Sequence, residues 1–180
     1  NYNIDKDNLG IFGYSMGGRI AMTIVVEDDN PYKSMGLLAP SIDPGEEMIT
    51  RLFGGEEQLK AFYEEASEEK GYADFTTIYG QQQTLSKTWF DEMIASKPLE
   101  NVNKFEGSII VVYGDMDETV PLSVNESVVA AYDNTEKVIV PGADHGYGFY
   151  SDQPSVTETV ENSFADFFDK NLKWYRVKRL

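Results

Sequence analysis

Short β-branched runs alternating with helical patterns predict an α/β fold of about four parallel strands flanked by helices. Three observations carry that prediction. The apolar run Leu9-Gly10-Ile11-Phe12 gives way to a helical pattern at Gly13-Tyr14-Ser15-Met16-Gly17-Gly18. Ile109-Ile110-Val111-Val112-Tyr113 is the strongest strand pattern in the sequence, and it runs into Gly114-Asp115-Met116-Asp117-Glu118-Thr119-Val120-Pro121. A third run, Val138-Ile139-Val140, leads into Pro141-Gly142-Ala143-Asp144-His145-Gly146. With 180 residues, the chain is long enough for a single domain with a real core.

In chain order, residues 8–12 read as a strand, and 17–28 as a helix with Ile20, Ala21, Ile24 and Val25 on one face. Residues 34–39 read as the next strand, ending at Pro40. Residues 44–104 read as an insertion of helical character. Within it, Leu59, Phe62, Tyr63 and Ala66 fit a 3.6-residue period, as do Leu85, Trp89, Met93 and Ile94. Because it separates two sheet strands, this insertion reads equally as a cap over the active-site edge or as an ordinary pair of packing helices. Residues 108–113 form a strand, 122–132 a helix with Val124, Val128 and Ala131 inward, and 137–140 the last strand. Val156, Val160, Phe164, Phe167 and Phe168 mark a C-terminal helix with an aromatic core face. The basic, aromatic tail from residue 173 to 180 reads as a solvated helix end. Asn125-Glu126-Ser127 is a formal glycosylation sequon, but it lies inside a helix pattern and reads as coincidental.

The first of these junctions carries chemistry. Gly13-Tyr14-Ser15-Met16-Gly17 is a G-x-S-x-G sequence between strand and helix, which makes Ser15 a candidate nucleophile on a sharp bend. Side chains at Gly13 or Gly17 are expected to hinder that bend. The backbone N–H of Met16 opens the helix, where a developing oxyanion is stabilised. A serine hydroxyl needs a neighbouring base, and the only histidine in the chain is His145, on the loop after the last strand. The third member is an acid that orients the imidazole. Asp115 and Asp117 both stand at the carboxyl end of a strand, where open α/β sheets place their sites. The order serine, aspartate, histidine differs from the orders of the chymotrypsin and subtilisin types. No metal is expected at the Asp-x-Asp pair, since no histidine or cysteine cluster accompanies it.

Composition narrows the partners. Asp and Glu number 31 against 15 Lys and Arg, for a net charge of −16, a surface that repels nucleic acid and anionic membranes. There is no cysteine, hence neither a disulfide nor a thiolate metal site. No apolar run approaches the roughly 20 residues of a membrane span.

These motifs resemble the C-terminal two-thirds of an α/β-hydrolase, of the small bacterial esterase type that includes cinnamoyl and feruloyl esterases. Gly13 to Gly18 matches that family's elbow, Gly114 to Pro121 its acid loop, and Gly142-Ala143-Asp144-His145 its histidine loop. The resemblance selects Asp117, three residues after the glycine, as the acid. Tyr14 stands where cinnamoyl esterases often carry histidine. The resemblance implies a Ser15–His145–Asp117 acyl-enzyme mechanism on carboxylic esters, with Met16 at the oxyanion and no cofactor. Tyr14 and Trp89 are expected substrate contacts, and the aromatics Tyr63, Tyr79 and Phe90 suit either an aromatic acyl chain or the core of the cap.

The resemblance also implies about four strands ahead of the elbow, together with a loop supplying a second oxyanion donor. The sequence starts without Met, a few residues before the elbow strand. It is therefore expected to be N-terminally truncated, weakly active or inactive, and to self-associate through the exposed strand from Asn8 to Phe12. A prolyl-oligopeptidase-type serine peptidase and a non-catalytic remnant of the fold are the alternative readings.

Overall fold

A computed structural model of the chain describes residues 5–76 and 80–172. The expectations for Tyr79 and for the tail from residue 173 fall outside them. The chain divides into two compact units: residues up to 42 together with those from 98 onward, and Asp43–Lys97.

The first unit is built on a four-stranded parallel sheet. Its strands are β1 (Leu9–Tyr14), β2 (Tyr32–Leu38), β5 (Ser108–Gly114) and β6 (Thr135–Val140), in the order β1-β2-β5-β6. Phe12 lies opposite Gly36, Gly36 opposite Ile110, and Val112 opposite Val138. Parallel strands are covered on both faces, and the central pair shows it: Leu37, Leu38, Val111 and Val112 are fully buried. Side chains alternate across a strand. Gly13 therefore faces α1 (Met16–Val25), while Phe12 faces α6 (Pro154–Asn171), where its ring meets Phe164 edge-on at 4.8 Å. Val160, Phe164 and Phe167 form the buried stripe of α6. Gly36 admits it, since a Cβ there would lie 2.9 Å from the Phe164 ring.

The rotation of α1 differs from the sequence reading. Gly18, Ala21, Met22 and Val25 face the sheet, whereas Ile20 and Ile24 are 54% and 37% exposed. Gly18 approaches Pro40 so closely that the helix is pinned with that residue inward, and the i, i+3, i+4, i+7 stripe follows from it. The helix α5 (Leu122–Ala131) buries Val124 and Val128, and also Asn125. Among the described residues, no helix is long and apolar enough to cross a membrane.

The second unit holds α2 (Gly45–Phe53), α3 (Glu56–Ala66), β3 (Tyr72–Thr76), β4 (Gln82–Ser86) and α4 (Lys87–Ala95). It is not purely helical, because β3 and β4 form an antiparallel hairpin with Tyr72 opposite Ser86 and Thr76 opposite Gln82. Leu85 belongs to β4 and not to a helical stripe, so the period through Leu85, Trp89 and Met93 does not describe one helix. The buried residue of α4 is Phe90, which stacks on Phe53 at 5.5 Å. Phe62 and Phe75 complete this aromatic core around Phe53. The 3-10 turn Val102–Lys104 lies in the sheet unit, and the second unit ends at Lys97.

Candidate active site

Three loops leave the carboxyl ends of β1, β5 and β6, and each carries one of the expected residues. Ser15 stands between β1 and α1 with φ 52° and ψ −116°, a conformation rarely adopted by a residue with a side chain. Its backbone is held on every side. The N–H donates to the Leu38 carbonyl at 2.9 Å, and the carbonyl accepts from Ser41 at 3.0 Å and Gly18 at 3.0 Å. The bend also explains Gly13, where a Cβ would collide with the carbonyl of Gly17. At Gly17, contrary to expectation, a Cβ would meet nothing within 4 Å. The second position that demands glycine is Gly18, where a Cβ would lie 2.6 Å from Pro40 Cβ.

His145 joins the other two residues. Its Nε2 lies 3.0 Å from Ser15 Oγ and its Nδ1 lies 2.7 Å from Asp117 Oδ2. Asp117 is buried at the base of this chain, with its side chain at 0% exposure. Oδ1 accepts from the N–H groups of Thr119 at 2.9 Å and Val120 at 2.8 Å. Oδ2 accepts from Tyr147 Oη at 3.0 Å as well as from the imidazole. Burial pushes the Asp117 carboxyl up. The hydrogen bonds from His145, Val120 and Tyr147 outweigh that, and the net effect holds it below its ordinary value. An ionised carboxylate only accepts, so Nδ1 of a neutral imidazole is the donor, and Nε2 is left to accept the serine proton.

Met16 is the first residue of α1, so its N–H has no acceptor within the helix and points from the helix start. Asp115, the other acid candidate, is exposed and turned away. Its Oδ1 accepts from the Gly142 N–H at 2.6 Å, which ties the acid loop to the histidine loop.

Tyr14 does reach the site. Its hydroxyl donates to the backbone carbonyl of His145, and its ring lies 5.2 Å from the imidazole. It thus braces the histidine loop, a contact the sequence reading did not anticipate. Trp89 belongs to the Asp43–Lys97 unit, where its ring packs edge-on against Phe53 and Phe90. The supporting roles of two residues, Tyr147 and Asn125, escaped sequence reasoning. Asn125 is buried, and its Nδ2 donates to the carbonyls of Val120 and Pro121, both at 3.3 Å. Its place in the sequon is the only pattern that marked it, and that pattern points the wrong way.

Solved structures share this architecture. The esterase Est1E from Butyrivibrio proteoclasticus, which has also been solved with ferulic acid bound, is 21% identical with a TM-score of 0.63 over 88% of this chain and 61% of its own. The α/β hydrolase GrgF from Penicillium sp. sh18 is 15% identical, TM-score 0.69, over 94% of this chain and 66% of its own. The esterase domain of a Rhodothermus marinus protein is 16% identical, TM-score 0.65, over 88% of this chain and 60% of its own. The chain therefore spans less than two-thirds of the length of these structures. At such identities the likeness shows the fold, an α/β-hydrolase fold. No curated protein matches the sequence. The prolyl oligopeptidase family model matches residues 1–174. That span takes in the elbow, the acid loop and the histidine loop together, and the chain belongs to the prolyl oligopeptidase family.

Proposed function

We propose that the protein is a serine hydrolase that cleaves carboxylic esters through an acyl-enzyme. One observation carries the reading: Ser15, His145 and Asp117 form an unbroken line of hydrogen bonds at the carboxyl edge of one sheet. In the proposed reaction Ser15 Oγ attacks the ester carbonyl carbon while His145 Nε2 takes the serine proton. The Met16 N–H hydrogen-bonds the oxyanion of the tetrahedral intermediate. Collapse breaks the bond to the leaving oxygen, which takes the proton from Nε2 and departs as the alcohol. Water then attacks the acyl-serine, giving a proton to Nε2. Ser15 recovers that proton as the acid leaves. Asp117 stays ionised throughout and stabilises the imidazolium.

The ester assignment draws on the esterases among the structural neighbours, one of them solved with ferulic acid. The family match supports a second reading, a peptidase. A fluorophosphonate probe tests the shared chemistry: it labels the wild-type chain and fails to label Ser15→Ala and His145→Ala. Labelling that survives Ser15→Ala overturns the mechanism. Faster turnover of aryl esters than of aminoacyl amides supports the esterase, and the reverse order supports the peptidase.

Self-association through β1 belongs to the same proposal. Among the described residues β1 pairs with β2 alone, and Phe12 is 50% exposed. A sedimentation coefficient that rises with concentration is the expected outcome, and a single monomeric species throughout overturns it.

A further inference from the structure

Tyr147 is fully buried two residues after the histidine, and its backbone sits at φ 47°, in the left-handed region that a tyrosine seldom occupies. Something must repay that conformation, and the hydroxyl shows what does. Gly114 donates its N–H to Tyr147 Oη at 2.9 Å. Gly114 leaves no room for a side chain, because a Cβ would collide with the Ala143 carbonyl. Since the phenol oxygen accepts from Gly114, its own proton is directed to Asp117 Oδ2, 3.0 Å away. Thr157 Oγ1 donates to the Tyr147 carbonyl at 3.2 Å and holds the residue from α6.

We propose that Tyr147 is a positioning residue of the catalytic machinery, whose hydroxyl carries the Gly114 N–H to Asp117 and so holds that carboxylate ionised and aimed at His145. This rests on the hydrolase reading above. The line of donors runs from Gly114 N–H through Tyr147 O–H to Asp117 Oδ2, where it meets the line coming from Ser15 through His145. With Thr119 and Val120 on Oδ1, all four hydrogen bonds to Asp117 come from donors in fixed places. The titratable groups facing Asp117 are His145 and Tyr147 from the loop after β6, and Tyr14 of β1 faces Tyr147 ring to ring at 6.1 Å. Burial, with the neighbouring Asp117 charge, pushes the Tyr147 phenol well above its ordinary value, so it remains a donor across the working pH range.

The test is Tyr147→Phe, which keeps the ring and removes the oxygen. His145 is the only histidine, so its ring resonances report the Asp117 titration without overlap and without turnover. The acid-side inflection that marks protonation of Asp117 moves up by about one pH unit, the size of one lost hydrogen bond to a charge. Fluorophosphonate labelling of Ser15 slows by roughly ten-fold, and in turnover kcat falls while KM holds. Fluorotyrosine at position 147 keeps ring and hydroxyl but donates more strongly, and it moves the inflection the opposite way. A tyrosine that only fills space lowers the melting temperature of Tyr147→Phe and leaves the inflection and the labelling rate where they were, which overturns the proposal. If Tyr147→Phe does not fold, an unmoved inflection in the fluorotyrosine protein overturns it alone. Labelling that persists in Ser15→Ala sinks the hydrolase reading separately, since the titration of Asp117 does not depend on Ser15 reacting.

Discussion

Asp115 Oδ1 accepts the N–H of Gly142 at 2.6 Å, a bond from the acid loop to the histidine loop. Two aspartates two residues apart thus have different tasks. Asp117 is buried and faces the imidazole, whereas Asp115 is exposed and clasps the neighbouring loop. Asp115→Asn keeps an oxygen that can accept from Gly142 and is expected to label at close to the wild-type rate. Asp115→Ala loosens the clasp and slows labelling by a few-fold, as expected for one exposed hydrogen bond. Asp117→Asn places an amide against Nδ1, favours the wrong tautomer and reduces kcat by roughly ten-thousand-fold. Labelling rates of the three variants check this ranking.

The elbow yields a second contrast. Gly17 lies in a helix with open space where its Cβ would be, while a Cβ on Gly18 would press on Pro40 at 2.6 Å and 2.9 Å. Gly17→Ala therefore removes backbone freedom from the unfolded chain at no steric cost, and stabilises by about 0.5–1 kcal/mol. Gly18→Ala forces the helix away from the sheet and destabilises by about 1–3 kcal/mol. Urea midpoints of the two variants should move in opposite directions.

That contrast shows what the sequence could carry. The sheet strands were legible because 109–113 and 138–140 are unbroken apolar runs. Ser15 stood out by its flanking glycines and His145 as the sole histidine, whereas Asp115 and Asp117 were equivalent by position and only the family resemblance chose between them. The motif letters marked Gly17 as well as Gly13, but only packing against Pro40 reveals that Gly18 is the constrained position. The same close approach turns α1 by one residue, so Ile20 and Ile24 face outward although periodicity favours them. The hairpin in the insertion was hidden because β4 is polar except for Leu85. Tyr147 and Asn125 carry no periodicity at all. Their roles arise from hydrogen bonds across 30 and 5 positions, which no local pattern encodes.

The lowered Asp117 carboxyl has a pH consequence with a definite sign. Burial alone would raise it, but the donors from His145, Val120 and Tyr147 win. A group depressed on folding contributes stability above its unfolded value, 3.8 for this carboxyl, and loses it as pH falls through the folded one. The stability gap between wild type and Asp117→Asn is therefore expected to narrow as pH falls below about 4. Other carboxylates titrate in the same range, and the difference between the two proteins cancels them. Melting temperatures of both, measured from pH 7 to 3, decide the matter. A gap that widens below about pH 4 contradicts the assigned hydrogen bonds.

Asn125 supports the acid from one layer further back. Its Nδ2 donates to the carbonyls of Val120 and Pro121, and the Val120 N–H in turn donates to Asp117. Full burial of Asn125 also closes the sequon to a glycosylating enzyme in the folded protein. Asn125→Ala takes the side-chain donor from the Val120 carbonyl, while the Pro121 carbonyl keeps the Val124 N–H at 2.9 Å, and costs about 1–3 kcal/mol. Asn125→Asp is worse at neutral pH, because an ionised carboxylate would then face two carbonyl oxygens with no proton between them. Burial without a cationic partner raises the new carboxyl, and once protonated it can donate to Val120 as the amide did. The Asp variant should thus recover toward the Ala variant as pH falls from 7 to about 5. Urea unfolding at the two pH values measures the recovery, and an Asp variant equal to wild type at neutral pH would mean that the Nδ2 bonds contribute nothing.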